Sequence, residues 1–448
     1  MRVLGIELRR TTALVLGAST VVVVVGLLYW TGPSTKNSAA WTRQWTTLAE
    51  WVGFMQLFSW PLALGAGALQ GLRDRRSGVE ELFGSTPRPR AQRVGPTFGA
   101  LAVSLVAGYA VVFGIGAVQV ASATDYFHTG WVPTALVGAV ALVAAAWLGL
   151  GLGGLVPSPL TPPVLAVAAL AVMTLGLGPS DGAAVRWTSL LPSVPMPVTV
   201  YASVAGSVIA AQAVWFVGLA STGFLLVASR RRWPALLPVV VAGAVAVSLA
   251  PATPREAVTP DPVAAELVCV DGLCLTRAHE HERAVLAGPA REALRVLAKL
   301  PSPPTSVREV AGAVRGDPAR GPESTDAVWV HLDEFTYFRR EPPTPERMTA
   351  YLLAGAGTRT CYGDEIPEDV AREVAARSVI TGWLTGRVEP LPLYRTWLGE
   401  RIDGLTAKAW DHLRTLPEPD QAARVQATRE VLAACSGDAL TTLTGGTA

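Results

Sequence analysis

Arg232-Trp-Pro-Ala-Leu-Leu-Pro-Val-Val-Val-Ala-Gly-Ala-Val-Ala-Val-Ser-Leu-Ala-Pro-Ala-Thr-Pro-Arg255 is the stretch on which the fold turns. It holds 22 uncharged residues between two arginines, and a helix needs about 20 mostly apolar residues to cross a bilayer. Before it the chain is basic, with 15 Lys and Arg against 7 Asp and Glu in residues 1–252. After it the balance reverses to 22 against 28, and all four cysteines (Cys269, Cys274, Cys361, Cys435) lie there. The stretch reads as a last membrane span that delivers a soluble domain.

The other spans follow from the gaps between charges. Arg10 to Lys36 encloses 25 uncharged residues, Glu50 to Arg73 encloses 22, and Arg93 to Asp125 encloses 31. Asp125 to Asp181 encloses 55, enough for two spans, with Pro157-Ser-Pro-Leu-Thr-Pro-Pro163 breaking it near the middle. In the 43-residue gap from Arg186 to Arg230, Leu191-Pro-Ser-Val-Pro-Met-Pro197 is too proline-rich for helix, which leaves one span at about 205–229. The total is seven. The first is an anchor rather than a signal peptide, because its apolar run exceeds 7–15 residues and no clean A-x-A site follows. Across 448 residues, 50% are hydrophobic and 16% charged, with mean hydropathy +0.36. Soluble chains carry about 25% charged residues, and a disordered tail, coiled coil or nucleic-acid binder needs still more.

Orientation follows from the Lys and Arg count in short loops. With the N-terminus in the cytoplasm, inner segments hold twelve (Arg2, Arg9, Arg10, six from Arg73 to Arg93, and Arg230 to Arg232) and outer ones three (Lys36, Arg43, Arg186). Seven spans then place residues 253–448 outside. The cysteines agree, since disulfides persist in oxidising compartments.

No Asp, Glu, Lys or Arg falls in the middle of an expected span, which argues against a proton-coupled carrier. Nor does the chain contain the G-x-x-x-x-G-K-[ST] phosphate loop. A motor for uphill movement would be another polypeptide. The inner loop Arg73-Asp-Arg-Arg-Ser-Gly-Val-Glu-Glu-Leu-Phe-Gly-Ser-Thr-Pro-Arg-Pro-Arg-Ala-Gln-Arg93 offers a docking place. Ser77-Gly78 precedes a short helical run with Glu80 and Glu81 near its positive end, and Gly84-Ser-Thr-Pro87 stops it.

This loop resembles the coupling segment of the membrane subunits of type-two ABC exporters, Arg/Glu-x-x-Ser-Gly-Thr-x-Glu-x-Leu-x-x-Thr-Pro. The matching residues are Arg75, Arg76, Ser77, Gly78, Glu81, Leu82, Thr86 and Pro87, with Val79 where the family often has Thr. The resemblance covers residues 1–230. It implies a cytoplasmic helix pressing on a separate ATP-binding subunit, an interfacial elbow at residues 1–10, and short external helices within 187–204. It also implies paired halves, either a homodimer or a second permease, with ATP and Mg bound by the partner and no cofactor held by this chain. Gly149-Leu-Gly-Leu-Gly153 contains a close-packing G-x-x-x-G, read as packing between spans with a homodimer contact as the alternative.

A proline-rich linker (Pro251, Pro254, Pro260, Pro262) opens the outer half. Asp271-Gly272, between two β-prone runs, signals a hairpin. Helices are expected over 288–300, 306–315, 345–355, 367–385, 393–415 and 420–436, and a strand over 328–332. Four cysteines allow three pairings; the preferred one is 269–274 with 361–435. Cys269-x4-Cys274-x4-His279-x-His281 is a weaker zinc pattern, because the histidine spacing is not H-x(3–5)-H. His279-Glu-His-Glu282 is not the H-E-x-x-H of a metallopeptidase. His331 with Asp333 and Glu334 reads as a solvated strand edge before an acid/base cluster, and His128 beside Tyr126 and Trp131 as an interfacial belt. No catalytic residue or metal ligand emerges.

The expected fold is an α-helical polytopic membrane protein of about seven spans, followed by a mostly α, disulfide-containing extracytoplasmic domain with a small β-hairpin. The divisions are 1–230 (six-span permease-like domain), 231–253 (seventh span), 254–265 (linker) and 266–448 (outer domain). Three lysines against 34 arginines point to GC-rich coding DNA and a bacterial cytoplasmic membrane. The expected function is the non-enzymatic membrane subunit of an ATP-driven exporter moving a hydrophobic or amphipathic cargo outward. The alternative is a membrane-anchored receptor or assembly protein whose outer domain binds a partner. Nucleic acid is not an expected partner.

Overall fold

Prolines, glycines and charges decide where the apolar helices begin and end. A computed structural model describes residues 7–8, 12–31, 40–76, 89–177, 183–193, 199–229, 233–312, 324–332, 344–355, 361, 367–389, 391 and 395–446. Helices dominate two units, Met1–Asp261 and Pro262–Ala448.

In the first unit, α1 (Ala13–Gly26) runs into a π-helical turn at Leu27–Thr31. Helices α2 (Trp45–Phe54) and α3 (Gln56–Arg76) meet at Met55 with a bend of 46°. Next come α4 (Arg90–Ala123), α5 (Trp131–Leu155) and α6 (Thr161–Leu175). The α5–α6 break falls within the proline cluster, where Thr161 Oγ1 donates to the Val156 carbonyl at 2.8 Å and Pro162 and Pro163 start the new helix. A six-residue α7 (Ala183–Thr188) and β1 (Ala202–Val204) precede α8 (Gly206–Ala228) and α9 (Leu237–Leu249). Each of the six charge-free intervals contains apolar helix. Among the described residues, four helices are long and apolar enough to cross a membrane, and the bent α2–α3 pair makes a fifth if counted as one span. Thr161–Leu175 and Trp233–Leu249 are apolar but shorter. Seven full-length spans are therefore not what the helix lengths alone give.

Helices in lipid gain nothing from apolar burial against one another, so close backbone approach must hold them. Helices α3 and α5 make that approach through four glycines. A Cβ at Gly149 would lie 2.0 Å from the Leu64 carbonyl oxygen, and one at Gly153 2.1 Å from that of Ala68. From the other side, Gly67 faces the Ala146 oxygen at 2.1 Å and Gly71 the Leu150 oxygen at 2.2 Å. The G-x-x-x-G of α5 thus packs within the chain. Trp147 Nε1 fastens α5 to α4 by donating to the Phe98 carbonyl at 3.0 Å. After α9 the chain returns as β2 (Val258–Pro260), antiparallel to β1 with Ser203 opposite Thr259. Part of the proline-rich linker is therefore folded onto this unit.

The second unit is built on a four-stranded sheet in the order β3-β4-β5-β6 (Leu267–Val270, Leu273–Thr276, Ser306–Glu309, Ala327–Val330). Asp271 and Gly272 take positive φ (49° and 79°) and close the β3–β4 hairpin. Helix α10 (Arg283–Leu297) carries the chain to β5, which pairs parallel with both β4 and β6. The helix expected over 306–315 is thus corrected to a strand at its start. Pro303-Pro304 disfavours helix just before it, and β5 is paired on both sides, which local propensity cannot anticipate. Helices α11 (Pro345–Gly355), α12 (Pro367–Thr385), α13 (Arg395–Arg414), α14 (Glu418–Ala434) and α15 (Ala439–Thr444) complete the unit. One core joins sheet and helices through Leu275, Leu297, Val328, Leu353, Val379 and Leu440. Both preferred disulfides are present, Cys269–Cys274 across the hairpin and Cys361–Cys435 with Cα atoms 5.3 Å apart.

Gly153→Leu is expected to lower the melting temperature of the purified protein in nanodiscs sharply, overpacking costing about 1–3 kcal/mol or more. Gly154→Ala, whose Cβ meets nothing within 4 Å, should leave it unchanged. Replacing both Cys361 and Cys435 by Ser, which opens a loop of sequence separation 74, is expected to cost ~4 kcal/mol in denaturant unfolding of the second unit.

Candidate functional site

Of the sequence-derived coupling residues, Arg75 and Arg76 close α3, with only their backbone described. Ser77, Gly78, Glu80, Glu81, Leu82, Thr86 and Pro87 lie outside the described residues, as do Asp333 and Glu334. The zinc pattern dissolves into other bonds. The Cys269 and Cys274 sulfurs are joined to each other, and His279 Nδ1 lies 2.5 Å from Glu309 Oε1. Glu309 Oε2 also accepts from the Thr276 backbone N–H at 2.6 Å, so this buried carboxylate ties the end of β5 to the end of β4. Among the described residues no group of three or more His, Cys, Asp and Glu is placed to hold a metal.

A cavity that the sequence did not announce lies in the first unit, at the bend between α2 and α3. It is a partly open cleft of about 60 Å³, above the roughly 10–15 Å³ that a single water needs. Gly53, Phe54 and Gln56 flank the bend; Tyr109 comes from α4, Trp131 and Gly138 from α5, and Gln212 and Phe216 from α8. Residues so far apart meet here because the bend turns α2 away from the line of α3. Met55 N–H still donates to the Trp51 carbonyl at 3.0 Å, and the Met55 carbonyl accepts from both Phe58 and Ser59. The break at Met55 thus forms without a proline at the bend.

Two polar atoms on this wall stand out. Gln56 Nε2 donates to the Gly138 carbonyl at 2.9 Å. A carbonyl only accepts, so this bond fixes which end of the amide is nitrogen. Gln56 Oε1 is then left buried without a hydrogen-bond partner among the described residues. Trp131 Nε1 is in the same condition, its ring held between Trp45 (centroids 5.2 Å apart, stacked) and Phe113 (5.9 Å, stacked). An unpaired buried polar group costs about 1–3 kcal/mol, so one acceptor and one donor on a single cavity wall are two such costs. Gln212, by contrast, donates to the Ser189 carbonyl at 2.7 Å. Gly138 makes room: a Cβ there would lie 2.2 Å from the Tyr109 hydroxyl and 2.9 Å from Gln56 Nε2.

Charge is sparse. Glu50, taken from the sequence as the edge of a span, sits inside α2 and lines the cavity, and among the described residues no Lys or Arg does. At the rim, the Gly130 N–H donates to His128 Nδ1 at 3.2 Å. That assigns the ring proton to Nε2, which bonds Thr46 Oγ1 at 3.1 Å. Thr46 and Gly130 both line the cavity. Burial pushes the His128 pKa below its ordinary value, against the pull of Asp261, which also accepts from the Tyr126 hydroxyl at 2.9 Å. His128 is thus a clamp at this rim as well as an aromatic neighbour of Tyr126, their rings 5.7 Å apart.

Searches against protein-family models, curated proteins and solved structures find no match for this chain. What the cavity does rests on its own chemistry. Its Gln and Trp were hidden in the sequence, because neutral polar and aromatic residues leave no mark on a charge count. The only local signal was Gln56 within a 22-residue uncharged run.

The His128 shift has a definite sign. Its folded-state pKa lies below the unfolded value of about 6.5, so the neutral ring's contribution to stability is in place above that value. It is lost as pH falls through 6.5 toward the folded-state pKa. The melting temperature of the purified protein is therefore expected to fall between pH 7.5 and 5.5, and His128→Gln should reduce that slope.

Proposed function

We propose that the chain is the membrane-spanning subunit of an ATP-driven ABC exporter, coupled through residues 73–93 to a separate cytoplasmic ATPase. The observation that carries this reading is the order Arg75-Arg76-Ser77-Gly78, Glu81-Leu82, Thr86-Pro87 between two apolar helices. A basic inner loop needs arginines only; it does not need that order. Helix α3 runs to Arg76 and α4 begins at Arg90, so the segment joins the ends of two helices that a push on it would move. The cavity at the α2–α3 bend supports the reading too, since transporters build binding sites where a membrane helix is discontinuous.

In this reading the chain crosses the bacterial cytoplasmic membrane seven times, with the N-terminus inside. Both shorter helices then serve as spans, and the disulfide-bonded second unit lies outside. The ATPase binds ATP and Mg, and the permease pairs with a second copy or a second permease. Closure of the ATPase rocks the helices joined by residues 73–93 and moves a hydrophobic or amphipathic cargo outward. A second reading, a membrane-anchored receptor or assembly protein without transport, draws on one observation: Pro262–Ala448 has a core of its own and two disulfides.

Affinity purification of the full-length protein from its native membrane separates the two. A permease brings down a soluble nucleotide-binding protein in near-stoichiometric amount, and Glu81→Arg or Gly78→Pro reduces its recovery at least tenfold. Recovery of the ATPase unchanged in both variants removes the coupling assignment; its absence from the wild-type preparation favours the receptor.

A further inference from the structure

We propose that the cavity at the α2–α3 bend binds an uncharged amphipathic molecule that presents an amide-like pair, one hydrogen-bond donor and one acceptor, on an apolar body. In calling that molecule cargo the proposal rests on the exporter reading; as a binding site it stands without it.

Three observations converge. Two lining residues carry an acceptor, Gln56 Oε1, and a donor, Trp131 Nε1, both buried and without a partner among the described residues. A ligand that satisfies both must donate to the first and accept from the second, which an amide or sulfonamide does and a hydrocarbon does not. Around them Phe54, Tyr109 and Phe216 supply apolar and aromatic surface for the remainder of the ligand. The third observation is charge. Glu50 lines the cavity and, among the described residues, no Lys or Arg does, so a phosphate, sulfonate or carboxylate finds no counter-ion there. Glu50 is already engaged within the protein, so a cationic ligand finds no idle carboxylate.

The two polar atoms are also held in place. Gln56 is the first residue of α3, directly after the bend, and its amide is anchored to Gly138 on α5. Trp131, the first residue of α5, is fixed by its two stacking neighbours. A donor and an acceptor fixed on rigid helices recognise a ligand with little ordering cost. Both are shut off from bulk water, so a ligand reaches them only by displacing the side chains that cover them.

The test uses the full-length protein in nanodiscs, with empty nanodiscs as the blank. The probe is dansyl amide, neutral, with a sulfonamide donor and acceptor and fluorescence that rises in apolar surroundings. Anilinonaphthalene sulfonate is the anionic arm, and diphenylhexatriene, which has no hydrogen-bonding group, reports lipid partitioning. Dansyl amide is expected to bind saturably. Gln56→Leu and Trp131→Phe should each weaken binding about tenfold, the loss of one hydrogen bond worth about 1.4 kcal/mol, with the diphenylhexatriene signal unchanged. Trp131→Phe keeps a stacked ring and decides the matter where Gln56→Leu does not fold. Non-saturable dansyl amide signal, unchanged affinity in Trp131→Phe, or saturable binding of the sulfonate overturns the proposal. Saturable, variant-sensitive binding by a protein that recovers no ATPase keeps the site and removes the word cargo. ATPase recovery without saturable binding overturns the site alone.

Discussion

Backbone-to-backbone approach between α3 and α5 is the constraint on which the first unit depends. In water, two apolar helices are driven together by the surface they remove from solvent; in hydrocarbon that drive vanishes, and short-range packing must replace it. Gly67, Gly71, Gly149 and Gly153 each bring a Cα against a carbonyl of the facing helix where a methyl group would overlap it by more than an ångström. The device recurs between α5 and α8, where a Cβ at Gly223 would lie 2.3 Å from the Trp147 carbonyl and one at Gly151 2.6 Å from that of Gly223. Helix α5 is therefore gripped on two faces. It also carries Trp131 and Gly138, so the cavity's donor and the carbonyl that orients its acceptor ride on the most firmly held helix of the unit.

Much of this was legible in the sequence, for reasons that can be traced residue by residue. Charges are too costly in lipid to be scattered at random, so gaps between them marked the long apolar helices, though not α2, which contains Glu50. Pro157, Pro159, Pro162 and Pro163 announced the α5–α6 turn, because proline lacks the donor that a continuing helix requires. Asp271-Gly272 announced its hairpin, and with it the Cys269–Cys274 bridge, because few other dipeptides tolerate two positive φ values in succession. Helices 345–355 and 367–385 begin at Pro345 and Pro367, each at a first-turn position where proline is favoured.

What was not legible depends on residues distant in sequence. Strand β5 has only four residues and takes its conformation from β4 and β6 on either side. Nothing local marks the bend at Met55, since Pro61 lies inside α3 and does not set it. The cavity gathers side chains from residue 46 to residue 216, and no window along the chain contains more than a fragment of it. Helix length was hidden for a related reason. A run of uncharged residues says how far a helix is free to extend in lipid, whereas Pro162 and Pro238 say where α6 and α9 actually start. The difference makes both helices shorter than their gaps.

The composition of the cavity bears on what drives the protein. A site that couples cargo to protons or sodium needs a group whose charge changes or whose oxygens enclose an ion, and such groups sit at great cost in a membrane interior. Here the described lining residues are neutral, among them Thr46, Gln56, Tyr109, Thr134, Ser203 and Gln212, apart from a single carboxylate already engaged inside the protein. Neutral dipoles can recognise a neutral ligand, but they do not change state when it leaves, so they store no energy for the return. Under the exporter reading, recognition and work are then separated along the same two helices. The α2–α3 bend holds the polar groups at one end of α3, and Arg75 and Arg76 lead into the coupling segment at the other. A helix locked by its glycines to α5 transmits a push along its length rather than absorbing it, which is what a borrowed motor requires of the part it moves.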